Sequence, residues 1–233
     1  MKKLIQTFLP ILIISSQVFA IAGFGAYGNY DLLKYPKGSS GNSNTYLDYE
    51  GFNNAGGFGL LLYIDAIPIV DIEADIELIG NIYKYTAYLN GNSIVSEEIP
   101  WGRTSTYLTV RKEILGLSIP LLAKAQLYGG IGFNTHAVVP VPTADLIKGA
   151  FGEDDIELAM TAFSNDTDAG IKKLKDHLLD NKDKPSGFHL QAGVRGKLLM
   201  FNAFVNARYT IAKDVIPDKS GFPSLWVGLA LGI

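Results

Sequence analysis

Eight segments of this chain alternate apolar residues with small or polar ones, and this period of two constrains the fold more than any other feature. Successive side chains of a strand point to opposite faces, so each segment carries two unlike surfaces. The segments are 22–30, 57–64, 70–80, 107–115, 124–136, 188–198, 201–211 and 225–233. In the third, Ile72, Ala74, Ile76 and Leu78 oppose Asp71, Glu73, Asp75 and Glu77. In the fourth, Leu108, Val110 and Ile114 oppose Tyr107, Thr109, Arg111 and Glu113. The sixth sets Leu190, Ala192 and Val194 against His189, Gln191, Gly193, Arg195 and Lys197. The segments have roughly the 9–11 residues that a tilted strand needs to cross a bilayer.

The links between segments alternate in length. Asp65-Ala66-Ile67-Pro68, Gly116 to Pro120 and Leu199-Met200 are short, whereas 31–54, 83–104, 138–187 and 212–223 are long. An up-and-down barrel with these links gathers the tight turns and both termini at one end and the long loops at the other. This asymmetry resembles that of eight-stranded bacterial outer-membrane barrels such as the membrane domain of outer membrane protein A. The resemblance covers residues 21–233 and implies an all-β, antiparallel up-and-down transmembrane barrel, assembled by the barrel-assembly machinery among outer-membrane lipids. Barrels of this kind usually end in an aromatic residue, whereas this chain ends Leu231-Gly232-Ile233.

The start of the chain supports export. Lys2 and Lys3 precede an apolar run from Leu4 to Ile14, and Val18-Phe19-Ala20 offers a small residue for cleavage, the pattern of a secretory signal peptide over residues 1–20. Ala20-Ile21-Ala22 is a second candidate cleavage site, and an uncleaved anchor helix is the competing interpretation. Residues 21–233 then form one barrel domain in the outer membrane of a Gram-negative-type bacterium. With 48% hydrophobic residues the chain can bury a core. A net charge of −3 without clustered Lys and Arg argues against nucleic acid as a partner. The absence of cysteine excludes disulfides, thiolate metal sites and a cysteine nucleophile, and no cofactor or metal motif is present.

Alternation alone does not say which face looks inward, and a soluble lipocalin-like carrier would reverse the two faces. The polar faces carry five acids (Asp71, Glu73, Asp75, Glu77, Glu113) and five bases (Arg111, Lys124, Arg195, Lys197, Arg208). Enclosed ions need partners, and a solvent-facing surface has no such requirement. Interleaved Gly and Ala would suit a narrow interior. Tyr30, Tyr83, Tyr85, Tyr88, Trp101 and Tyr209 fall near strand ends on the long-loop side, where an interfacial girdle is expected. Lys112 falls on the lipid-facing parity and calls for an interface or a bulge. The ladder from Asp71 to Glu77 is expected to form a salt-bridged filling, the competing reading being the lining of a selective channel.

Within 138–187, Ile156, Ala159, Met160 and Phe163, and then Ile171, Leu174 and Leu178, recur at helical spacing. They predict two short amphipathic helices that cap the barrel mouth. The segment 31–53, with its Gly-Ser-Ser-Gly-Asn-Ser-Asn stretch, is expected to be a mobile external loop that, like 138–187, is available to an extracellular partner. Of three histidines, His177 falls on the polar side of a helix, while His136 and His189 share inward parity at the rim, with Asp183 and Ser186 close in sequence. No nucleophile elbow, phosphate-binding glycine loop or zinc motif accompanies them. The sequence therefore favours a non-enzymatic barrel with a structural, anchoring or surface-interaction role. A narrow pore is the main alternative, ahead of a lipid-modifying enzyme or a soluble carrier.

Overall fold

The computed structural model describes residues 22–65, 70–119 and 122–232. The expected signal peptide and part of the first two tight turns lie outside them. The described strands are β1 (Ala22–Tyr35), β2 (Gly38–Gly41), β3 (Tyr46–Tyr49), β4 (Phe52–Ile64), β5 (Asp71–Leu89), β6 (Asn92–Ile119), β7 (Ala123–Val138), β8 (Ser186–Leu198), β9 (Phe201–Ile211) and β10 (Gly221–Gly232). Eight of them, all except β2 and β3, form one closed antiparallel ring in which each strand pairs with its sequence neighbours. β1 and β10 close it, from Gly23 opposite Gly232 to Asp31 opposite Ser224. Closure leaves no ring strand with an unpaired edge.

Orientation follows from exposure. Ile76 is 49% and Leu229 69% exposed, whereas Glu73 and Arg111 are fully buried. Leu60, Leu108, Ile131, Phe133, Leu190, Val205 and Val227 likewise face outward. The apolar face is the outside of the ring on every strand, and the ionic face is its filling. Lys112 is exposed two residues before the irregularity at Ile114, opposite Gly129 and level with the start of β5.

Two expectations about the long-link end are corrected. Residues 83–104 are not a loop: β5 and β6 run on as a ladder to Leu89 opposite Asn92, turning at Asn90 (φ 51°) and Gly91 (φ 75°). Two successive positive φ values are what a tight two-residue hairpin turn requires, and Asn-Gly supplies them at least cost. Residues 31–53 are mostly strand as well. β1 continues to Tyr35, and the β2–β3 hairpin pairs with the far end of β5, from Tyr46 opposite Tyr88 to Tyr49 opposite Tyr85. The aromatic girdle shrinks accordingly. Tyr30 and Tyr209 are exposed, but Tyr83, Tyr85 and Trp101 are buried inside the extension, because strand parity turns them inward there.

Three helices, not two, cover this end: α1 (Ala144–Phe151), α2 (Ile156–Asn165) and α3 (Thr167–Asp180). Each starts on a side-chain cap. Thr143 accepts from the Leu146 amide, Asp155 from Glu157 and Leu158, and Asp166 from Ala169. The additional helix, α1, is short and ends at Gly152 in the left-handed conformation (φ 72°). Ile147, Ala159, Met160, Phe163, Leu174 and Leu178 from the helices join Tyr35, Leu47, Phe52, Tyr85, Ile99, Trp101 and Phe222 from the strands in one apolar core. Gly170 lets α3 approach α2, since a Cβ there would lie 2.9 Å from the Phe163 ring. Removing that ring opens a cavity costing about 3–5 kcal/mol. Phe163→Ala is thus expected to make the cap cleavable by trypsin at Lys148 and Lys172 while the barrel remains intact, as followed by limited proteolysis and gel mobility.

Candidate functional site

The interior of the ring is the most chemically dense part of the molecule. Asp31, Glu73, Asp75 and Glu77 face Arg103, Arg111, Arg195 and Arg208, and all eight side chains are at most 3% exposed. Parity along β5 aims the three ladder acids at the axis, and each meets a different arginine. Glu73 accepts from Arg111 Nη1 and from Gln191 Nε2, each at 2.8 Å, with Arg195 Nη2 at 3.6 Å. Asp75 takes a two-pronged pair from Arg208 at 2.8 and 3.2 Å and the Tyr27 hydroxyl at 2.7 Å. Glu77 accepts from Arg103 Nη2 at 2.8 Å, Asn29 Nδ2 at 2.9 Å and the Tyr107 hydroxyl at 3.1 Å. Arg103 also reaches Asp31 at 2.6 Å.

The remaining predicted residues lie toward the tight-turn end. Asp71 is half-buried, 3.6 Å from Arg111 Nε. Glu113 and Lys124 pair at 2.5 Å and are about one-third exposed. Lys197 is half-buried and in register with Lys124. Three members of the network escape the sequence reading. Asp31 and Arg103 fall in stretches assigned to loops, and Asp65, which bridges Arg111 at 2.6 Å and Arg195 at 3.4 Å, falls in an assigned turn. Extending the inward parity of Tyr27-Asn29 by one step, and that of Ser105-Tyr107 back by one, would have found the first two.

Aromatic rings separate the charged layers. Arg208 stacks over Tyr107 at 3.8 Å, Arg195 over Tyr63 at 4.4 Å, and Arg111 lies between the rings of Tyr63 and Tyr128. At the cap end, Phe222 covers Arg103 at 4.9 Å, marking the boundary between ionic lumen and apolar cap core. Gly193 makes room for this filling: a Cβ there would overlap Asn206 Oδ1, which accepts from the Tyr128 hydroxyl.

His136 and His189 are not rim residues. Both are buried, because β6, β7 and the helices extend beyond them. The Tyr107 ring makes edge contacts with both. His136 Nδ1 accepts from Ser105 Oγ at 2.8 Å and Arg103 Nη1 at 3.0 Å, so its Nε2–H donates to Asn134 Oδ1 at 2.9 Å. His189 Nε2 lies 2.8 Å from Thr109 Oγ1. Asp183 and Ser186 are exposed, and Asp183 is bridged to Val138 through its backbone. His177 is half-buried against α1 near Gly149. Among the described residues, no group of His, Asp and Glu has the geometry of a metal site. Both histidines contact the tyrosine and are hydrogen-bonded within the filling, His136 through both ring nitrogens and His189 through Nε2.

A buried ion pair is costly to break and cheap to replace as a whole. Asp75→Leu is expected to destabilise the barrel by about 3–5 kcal/mol, because Arg208 keeps its charge without its principal partner. Adding Arg208→Met is expected to restore much of that loss. Urea unfolding in detergent, followed by fluorescence of Trp226 (5.1 Å from the Arg208 guanidinium), checks both.

No protein-family model matches the chain, and no curated protein matches it in sequence. Among solved structures it is similar to the outer membrane protein OprG of Pseudomonas aeruginosa, at 9% identity over 91% of this chain and 95% of that one, with a TM-score of 0.48. It is also similar to the N-terminal β-barrel domain of Pseudomonas aeruginosa OprF, at 8% identity over 91% and 96%, with a TM-score of 0.41. Neisserial surface protein A is similar at 10% identity over 91% and 99%, with a TM-score of 0.40. The likeness in each case is one of fold alone.

Proposed function

We propose that this chain is an integral outer-membrane barrel that anchors a folded, surface-exposed cap, with its lumen closed to solutes. The carrying observation is the pairing of an apolar exterior on all eight ring strands with an interior of mutually neutralised ions. Soluble monomers rarely expose contiguous apolar patches beyond a few hundred Å², and a band around an entire ring needs lipid to cover it. A carrier for a greasy ligand would need the reverse arrangement.

The closed lumen supports anchoring over conduction. Four guanidinium groups, each stacked on or beside an aromatic ring, fill the space a solute would use. The cap core then covers one mouth. A role in surface contact draws on the same cap, whose helices and β2–β3 hairpin present their polar faces outward. Outer-membrane lipid is the surrounding partner in this account, the barrel-assembly machinery is the partner in biogenesis, and an extracellular partner would meet residues 31–53 or 138–187.

Conductance separates the two main readings. Purified protein in a planar bilayer is expected to give no discrete current steps in concentrated KCl. Asp75→Ala/Arg208→Ala, which removes the central layer, is expected to admit small-ion leakage if it folds. Well-defined steps from the wild-type chain would instead establish a pore.

A further inference from the structure

Helix α3 does not lie wholly over the barrel mouth. Lys175, Leu178 and Leu179 of α3, together with Lys182 just beyond it, overhang the outer wall where β5, β6 and β7 meet. A groove of about 290 Å³ separates helix from wall. Its wall side carries Leu78, Pro100 and Val139, and its helix side carries Leu179 with Lys175 and Lys182.

Three features point to one kind of occupant. The floor continues the lipid-facing surface, since Leu78 and Leu179 are each 50% exposed and Leu78 belongs to the outward apolar face of β5. The two lysines give the groove a positive edge, and among the described residues no acidic side chain lines it. The other lysines of α3 are engaged elsewhere: Lys172 pairs with Asp176 at 2.6 Å, and Lys173 lies over the Phe151 ring at 4.8 Å. An apolar slot opening onto lipid, with cations at one edge, matches an amphiphile with acyl chains and an anionic head.

We infer that this groove binds a phosphorylated lipid of the outer leaflet. An acyl chain lies between Leu78 and Leu179, and a phosphate sits against Lys175 and Lys182. The assignment rests on the proposal that the cap faces outward in the outer membrane, and the test keeps the two apart.

Native mass spectrometry of the full chain in neutral detergent, titrated with bis-phosphorylated lipid A, reads the site directly. The expected result is one retained lipid, with affinity about tenfold or more weaker in Lys175→Glu/Lys182→Glu. Lys172→Glu/Lys173→Glu, on the same helix, is expected to change it less than about twofold. Inorganic phosphate at equal concentration is expected not to displace the lipid. Equal retention by both double variants, displacement by phosphate alone, or equal binding of a lipid without phosphate would each overturn the site. Orientation is read separately. The chain has no cysteine, so Ser43→Cys on the exposed β2–β3 hairpin can be labelled with a membrane-impermeant maleimide in intact cells. Labelling is expected. Its absence, with lipid binding in detergent retained, would sink the outward cap and leave the groove's lipid preference standing.

Discussion

The structure depends on the neutralisation of three carboxylates on a single strand. Glu73, Asp75 and Glu77 project from β5 into the buried interior of the ring, and each is met by a different arginine, Arg111 and Arg103 of β6 and Arg208 of β9. An isolated ion there would cost several kcal/mol. Arginine suits the task better than lysine, because its planar fork can serve two acceptors while its face stacks on an aromatic ring. Among the described residues the four buried bases are all arginines, and the lysines Lys124 and Lys197 are kept toward the less buried end.

The molecule has two interiors built on opposite principles. Below Phe222 the ring is filled by ions and hydrogen-bonding side chains, while its apolar residues look outward. Beyond it, the extensions of β1, β5 and β6 keep the same alternation, but the inward positions become Leu33, Tyr35, Tyr83, Tyr85, Ile99 and Trp101. The helices complete that second core with an ordinary amphipathic face. A strand passing from the ring into the cap thus exchanges the chemistry of its two faces while its inward–outward alternation continues. This exchange allows a membrane-type barrel to carry a water-type cap on continuous strands.

The alternation made the ring legible, and the balance of acids and bases on one face made its orientation legible. Isoleucine, alanine and leucine at even positions of 72–78, against acids at odd ones, leave few arrangements once both acids and bases must be enclosed. The extent of the strands was not legible in the same way. The inward face of β5 turns from acids to tyrosines after Glu77, so the binary contrast fades although the strand continues. Asn90-Gly91 was the local signal for the turn that joins β5 to β6, and with it Arg103 becomes a lumen residue. Helix α1 was missed because its eight residues span barely two turns, although Thr143 and Gly152 bracket it with a cap at each end. The burial of His136 and His189 is a tertiary result: it depends on what the extended strands and cap cover, and periodicity says nothing about that.

The central claim is that lipid covers the apolar face of each strand while the ionic face is sealed. It is tested most directly by nitroxide scanning of residues 104–110 on β6, one cysteine at a time, in liposomes. Thr106, Leu108 and Val110 are expected to be accessible to oxygen and not to a water-soluble nickel chelate, with Ser105, Tyr107 and Thr109 inaccessible to both. Nickel accessibility at 106, 108 and 110, or oxygen accessibility that peaks at the odd positions, would contradict it.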